Sequence, residues 1–172
     1  MKSLPMFTDT VQPNVCSPCG GKCCKHMPGE YMPDDFAESD MIARISEGLK
    51  SGTMSIDWWE GDPEGDLGVR EAYYLRPSVK RYENFIFHGA WGGAECSQLT
   101  ENGCNLSFED RPSGCKALVP GHNGYGCTTA SGFGKRAAVI AWKQHRTLLL
   151  QIANSIQSET IESKKDTWQQ SA

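Results

Sequence analysis

The cysteines are the feature that most constrains what this chain can fold into. The sequence holds eight cysteines in 172 residues, and four of them lie in the segment Cys16-Ser-Pro-Cys-Gly-Gly-Lys-Cys-Cys24. The other four follow a cysteine-free stretch over residues 25–95 and are Cys96, Cys104, Cys115 and Cys127. This distribution predicts that two distant segments of the chain meet at one place.

Size and charge limit the classes of protein to which the chain can belong. A chain of 172 residues buries enough apolar surface to fold without cross-links. Its net charge is -4 and no segment concentrates lysine and arginine, so we expect no nucleic-acid partner. No apolar run is long enough for a signal peptide or a membrane span, so we expect a cytoplasmic protein with no membrane partner.

The predicted compartment bears on the role of the cysteine cluster. A reducing cytosol keeps thiols free, which favours metal binding over a disulfide framework. The even number of cysteines leaves the disulfide alternative open. The neighbours Cys23 and Cys24 fit such a framework poorly, because a bond between them would be strained and bonds to separate partners would crowd one turn.

The remaining residues predict an α+β fold in one small, irregular domain over residues 1–157. A helix is expected over 33–52, because acidic residues fill its first turn and apolar residues follow at helical spacing. Three short strands are expected over 54–59, 72–76 and 84–88, where β-branched and aromatic residues are dense. A loop rich in glycine and aspartate separates the first two strands and predicts a hairpin.

The clearest predicted element is a long helix from Gly134 to Ile156 that packs across the domain. Its core stripe is Ala138, Ala141, Trp142, His145, Leu149, Ile152 and Ile156. Residues 89–134 are rich in glycine and cysteine, which predicts loops organised by the ligands of a metal centre. Residues 158–172 are polar without a period, which predicts a tail without regular structure.

The N-terminal cysteine cluster has the chemistry of a metal-binding loop. Thiolates bind zinc, copper(I) or iron–sulfur centres in preference to magnesium or calcium. Cys16 and Cys19 form a C-x2-C unit that puts two sulfurs on one turn, and Gly20 follows it. Adjacent side chains leave the backbone in different directions. We therefore expect that Cys23 and Cys24 serve different sites, or that one binds the metal while the other packs.

The number of cysteines allows one metal centre or two. Four cysteines complete one zinc site or one [4Fe–4S] cluster, and eight could complete two; of these we favour one centre. The spacings from Cys96 to Cys127 match neither the paired C-x2-C units of a zinc ribbon nor the compact ferredoxin run. Ligands are therefore expected from both halves of the chain.

Two segments of the chain resemble a known family. The cluster in residues 16–28, together with residues 96–120, resembles the YkgJ-like cysteine-cluster family, a zinc- or iron-chelating domain with a C-x2-C-x2-C-C motif. The family's Arg-Pro-x-x-Cys segment is matched by Arg111-Pro-Ser-Gly-Cys115. This chain has three residues, not two, between Cys19 and Cys23. The choice between Cys23 and Cys24 as the ligand therefore stays open.

The resemblance implies a set of metal ligands, and the residues alone add two further candidates. The implied ligands are Cys16, Cys19, Cys23, Cys24, Cys96, Cys104 and Cys115. Cys127 lies outside the matched pattern but is a candidate as the eighth thiol. His122 shares a glycine-rich loop with Cys127 and is a candidate nitrogen ligand.

These observations predict a metal-binding protein in which an iron–sulfur cluster or Zn²⁺ mainly stabilises the fold. An iron–sulfur cluster could also carry an electron. One alternative is a structural subunit of a larger assembly such as a phage virion, which would have protein partners and lie in the virion. A second alternative is an accessory or methyltransferase-like enzyme, because a flagellin lysine methylase contains a similar domain. No residues form a recognisable catalytic set, so a non-enzymatic role is favoured.

Overall fold

The structure is a computed structural model that describes most of the chain. The described residues are 20–26, 28–61, 63–65, 71–87, 95–120, 127–129 and 132–170. The side chains of residues 23, 119–120, 127–129 and 163–170 are not among them. The statements below concern these described parts.

An antiparallel β-hairpin lies at the centre of the fold, as the sequence predicts. Strand β1 (Met54–Glu60) pairs with strand β2 (Glu71–Pro77), and Met54 stands opposite Pro77 while Glu60 stands opposite Glu71. The hairpin is buried along most of its length. It therefore carries polar groups into the interior as well as apolar ones.

The prediction of a third strand over 84–88 is wrong for residues 84–87, which the structure describes. Only an isolated parallel bridge joins Phe87 to Ile56, with the Ile56 N–H donating to the Ile86 carbonyl at 2.7 Å. Tight turns occupy the residues before it, because the Tyr82 N–H bonds to the Val79 carbonyl. This segment turns along the edge of β1 and does not extend the sheet. His88 lies outside the described residues.

The first helix is shorter than the sequence predicts. Residues Pro33–Asp35 form a single 3₁₀ turn, and helix α1 begins only at Met41 and ends at Lys50. The early helix start is wrong because the backbone at Phe36 is extended, with a φ of -121° and a ψ of 131°, and so ends the first turn. Met41, Ile45 and Leu49 of this helix are buried, whereas Ile42 is 57% exposed.

Short elements follow the hairpin, as the glycine- and cysteine-rich sequence predicts. Strands β3 (Leu99–Thr100) and β4 (Gly103–Cys104) form one small hairpin. Helix α2 (Ser113–Lys116) follows it. Strands β5 (Leu118–Pro120) and β6 (Cys127–Thr129) form a third antiparallel pair.

The long C-terminal helix contains a break that the sequence did not indicate. Helix α3 (Lys135–Trp142) is followed by a 3₁₀ turn over Lys143–His145 and then by helix α4 (Arg146–Gln170). Most of the predicted stripe is buried, including Trp142 and Leu149, whereas Ala141 and His145 are only half-buried.

The prediction that the chain after residue 158 lacks regular structure is wrong, because α4 continues through Gln170. Glutamate, lysine and glutamine are good helix formers, so polarity without a period does not prevent a helix. Within this part of the helix the Thr160 hydroxyl donates to the Ile156 carbonyl at 2.9 Å, so its polar group has a partner in the helix.

The main core lies between the central hairpin and the helices. Ile56 and Leu75 of the hairpin pack with Ile45 of α1 and Leu149 of α4. The Trp142 indole N–H donates to the Tyr31 carbonyl at 2.7 Å and so links the helices to the N-terminal segment. The fold is a small α+β domain. In the described residues, no helix combines the length and the apolar character needed to cross a membrane.

Candidate metal centre

Four cysteines from the two predicted segments line one cavity. The cavity measures about 20 Å³, and the cysteines on its wall are Cys24, Cys96, Cys104 and Cys115. The rest of its wall comes from Pro77, Gln98, Leu106, Arg111, Pro112 and Leu118. The structure describes all four cysteines as thiols and not as disulfides. It thus brings the two segments together, as the cysteine distribution predicts.

A direct backbone bond joins the segments at Cys24 and Cys96. The Cys96 N–H donates to the Cys24 carbonyl at 2.7 Å. Both side chains are buried and form a small core cluster with Leu99. Gly21 has a positive φ of 67° and lies close against the Leu99 side chain, so a Cβ atom there would clash. These contacts fix the N-terminal segment against the start of the second cysteine segment.

A hairpin positions Cys104. In the β3–β4 pair, Cys104 stands opposite Leu99, and Gly103 has a positive φ of 102°. The Asn105 N–H donates to the Gln98 carbonyl at 2.8 Å and closes the hairpin. The hairpin therefore brings Cys104 to the cavity that Cys96 also lines.

Helix α2 carries Cys115 and packs closely on Gly29. A Cβ atom at Gly29 would lie 2.7 Å from the Cys115 Sγ and 2.8 Å from the Cys115 backbone nitrogen. Because only hydrogen occupies that space, the backbone of Gly29 can approach the sulfur. The Gly29 N–H donates a hydrogen bond to the Cys115 sulfur, which stabilises the thiolate.

The surroundings of Cys115 favour its neutral form when no cation is present. Burial raises the pKa of the Cys115 thiol above its ordinary value, and the nearby Cys96 and Cys104 raise it further. The hydrogen bond from Gly29 acts in the opposite direction.

Asp35 is a residue of this region that the sequence did not single out. Its carboxylate accepts bonds from the Ser113 N–H at 2.9 Å and from the Ser113 hydroxyl at 2.5 Å. It also accepts the Met32 N–H at 2.8 Å. Asp35 and Ser113 are 78 positions apart in the chain, so no local sequence pattern could have indicated the contact.

Glu30 is a second such residue, and it is buried behind α2. Its side chain is 5% exposed, and its Oε2 has no hydrogen-bond partner among the described residues. Gly114 packs against it so closely that a Cβ atom at Gly114 would lie 2.7 Å from Oε2. Burial raises the pKa of Glu30 to about 7, although the Arg76 charge partly opposes the shift.

The other predicted ligands are not among the four on the cavity wall. Cys16, Cys19 and His122 lie outside the described residues. The backbone of Cys23 begins a 3₁₀ turn over Cys23–Lys25, and its side chain is not described. Cys127 lies in β6 opposite Pro120, again without a described side chain. Only Cys24 of the N-terminal cluster can therefore be located at the cavity.

The four cysteines share a cavity wall, but they do not form a group around one ion among the described residues. Within the described part of the chain, no three side chains of histidine, cysteine, aspartate or glutamate form a group that could hold one metal ion. The four thiols nevertheless share one cavity wall.

Comparison of the chain with protein-family models, with curated proteins and with solved structures finds no match. The structural argument for the site therefore depends on the geometry of these residues alone.

Proposed function

We propose that this chain is a cysteine-cluster metalloprotein whose centre joins the two cysteine segments and so stabilises the fold. The observation that carries the proposal is the cavity shared by Cys24, Cys96, Cys104 and Cys115. Four thiols are a complete ligand set for one zinc ion or one [4Fe–4S] cluster. Their approach across a long sequence separation is expensive in loop entropy, so a group that binds all four would contribute strongly to folding.

The chemistry of the donor set fits a soft metal. A coordinated thiol loses its proton to the metal, so a bound cation would offset the cost that burial imposes on a Cys115 thiolate. The Gly29 N–H already points to that sulfur, and N–H···S bonds are the usual second-shell support of thiolate ligands. We therefore assign the four cavity cysteines as the ligands of one centre.

Four thiolates can hold either a zinc ion or an iron–sulfur cluster. In a tetrahedral zinc site all four sulfurs lie about 2.3 Å from one ion. In a [4Fe–4S] cluster each cysteine binds a different iron, so the sulfurs stand further apart. When bound, such a cluster would supply one-electron redox chemistry.

The roles suggested by the family resemblance remain predictions. Membership of the YkgJ-like family, a place in a virion or other assembly, and a methyltransferase-like activity are not tested by the geometry of the cavity. A cytoplasmic location is likewise a prediction.

The vicinal pair provides a matched test of the ligand assignment. Cys24→Ser removes a thiol from the cavity wall, whereas Cys23→Ser makes the same change at the neighbouring position. Each full-length variant is purified anaerobically, and its iron, acid-labile sulfide and zinc are measured per chain. We expect Cys24→Ser to lose the centre and Cys23→Ser to keep it. Loss in Cys23→Ser alone, or unchanged metal in both, would refute the assignment of Cys24.

A second pair of measurements separates the metal types. Wild-type protein with about four iron and four sulfide per chain would support the cluster. Colourless protein with about one zinc would keep the thiolate centre but exclude the cluster. Wild-type protein without iron or zinc, even after anaerobic reconstitution, would contradict the proposed function itself.

A further inference from the structure

The helix that carries Cys115 begins without a cap of its own. Helix α2 has only four residues, and the residue at its N-cap position is Pro112, whose side chain accepts no hydrogen bond. The first N–H groups of a helix have no partner within the helix and need acceptors from elsewhere. A helix this short has little stability of its own. The position of Cys115 therefore depends on what binds the start of α2.

The N-terminal segment supplies the missing acceptors. Asp35 accepts both the N–H and the hydroxyl of Ser113, at 2.9 Å and 2.5 Å. The Glu30 carbonyl accepts the next amide, that of Gly114, at 2.9 Å. The first turn of α2 is thus capped by residues far away in the sequence. We call this pair of contacts, through Asp35 and Glu30, the α2 clasp.

Asp35 is itself held in place from its own side of the clasp. Its carboxylate accepts the Met32 N–H at 2.8 Å, and its backbone carbonyl accepts a bond from the Arg44 guanidinium at 3.0 Å. Each of these bonds has one charged partner, the carboxylate acceptor in the first and the guanidinium donor in the second, which strengthens it relative to a bond between neutral groups. Movement of Asp35 would therefore disturb the start of α2 and the segment that presents Gly29 to Cys115.

We propose that Asp35 is a positioning residue for the metal centre: it caps α2 from a distance and so holds Cys115 in the orientation that lines the cavity. This inference rests on the proposed function for its metal-dependent part. Partners that orient the ligands of a metal site typically change metal affinity by about 10- to 100-fold when they are removed.

Asp35→Asn is the test variant, because it keeps the size of the side chain but replaces one acceptor oxygen by a donor. Asp34→Asn is the matched control, since Asp34 is the exposed neighbour. The first readout is the rate at which a chelator removes the metal from each full-length protein. We expect about tenfold faster loss in Asp35→Asn and wild-type behaviour in Asp34→Asn. Equal rates in both variants and in wild type would overturn the inference.

A second readout does not depend on bound metal. Metal-free protein is treated with iodoacetamide, and mass spectrometry follows the alkylation of Cys115 relative to Cys104 in the same chain. We expect this ratio to rise several-fold in Asp35→Asn, because α2 is released while the β3–β4 hairpin is not. A general loss of stability would raise both rates together and would leave the ratio unchanged, which would refute the positioning role.

The two readouts separate failure of the inference from failure of the proposed function. If wild-type protein binds no metal, the proposed function is wrong, and the alkylation ratio still decides whether Asp35 positions Cys115. If wild-type and Asp34→Asn proteins hold metal equally and Asp35→Asn does so too with an unchanged ratio, the function stands and Asp35 has no positioning role.

Discussion

Replacement of the buried acid by its amide, Glu30→Gln, should change how stability depends on pH. Glu30 is 5% exposed, and burial raises its pKa from 4.5 to about 7. The folded protein therefore holds the Glu30 proton more tightly than the unfolded chain does. A group of this kind does not penalise folding below pH 4.5, and it becomes progressively unfavourable as the pH rises toward 7.

The size of the effect follows from the two pKa values. Each pKa unit corresponds to about 1.4 kcal/mol, so the rise from 4.5 to about 7 costs the folded state about 3 kcal/mol once the carboxyl is ionised. Glutamine has no proton to lose and avoids this cost. We therefore expect the stability of Glu30→Gln relative to wild type to increase between pH 4.5 and pH 7 and to remain constant above about pH 7.5.

The assay is urea unfolding of both proteins at half-unit intervals from pH 4.5 to 8.5. The informative quantity is the difference in unfolding free energy between the two proteins, because contributions of other titrating groups cancel in it. Glu38→Gln is the control, since Glu38 is exposed and the same chemical change there should give a difference near zero at every pH. A difference for Glu30→Gln that does not vary with pH would refute the claim that this carboxyl is buried.

Three further predictions concern packing around the site and the core. Gly29→Ala would place a Cβ atom 2.7 Å from the Cys115 Sγ, so unfolding by urea should show a loss of about 1–3 kcal/mol, and wild-type stability would contradict this packing. Trp142→Phe removes the indole N–H that bonds to the Tyr31 carbonyl; calorimetry should detect about 1–3 kcal/mol of destabilisation, and no change would exclude the bond. Deletion of 158–172 removes the exposed residues 158–162 and the ion pair between Lys50 and Glu159; it should alter stability by less than about 1 kcal/mol, and a larger loss in the same assay would contradict this.

The meeting of the two cysteine segments could be predicted because it follows from residue type alone. Thiols clustered at Cys16–Cys24 and again after Cys96 have few purposes in a reducing compartment other than a shared metal. The central hairpin was also predictable, since dense aromatic and β-branched residues flank a loop of glycine and aspartate. In both cases the signal lies in the residues that form the feature.

The errors arise where a distant contact decides the local structure. The acidic residues Asp34 and Asp35 are typical of the first turn of a helix, but Asp35 bonds to Ser113, and the helix begins only at Met41. The segment around Phe87 has the composition of a strand, yet it contributes only an isolated bridge to β1. Neither contact leaves a trace in the sequence next to it. The same reason explains why Glu30 and Asp35 were not identified as parts of the site.

The most direct test of the central claim is the visible absorbance spectrum of anaerobically purified full-length protein, recorded with its iron and sulfide content. A centre held by Cys24, Cys96, Cys104 and Cys115 around one cavity predicts either brown protein with about four iron and four sulfide per chain and a visible band that bleaches on reduction, or colourless protein with about one zinc per chain. Colourless protein that holds neither iron nor zinc, before and after reconstitution, would contradict a metal centre at these cysteines.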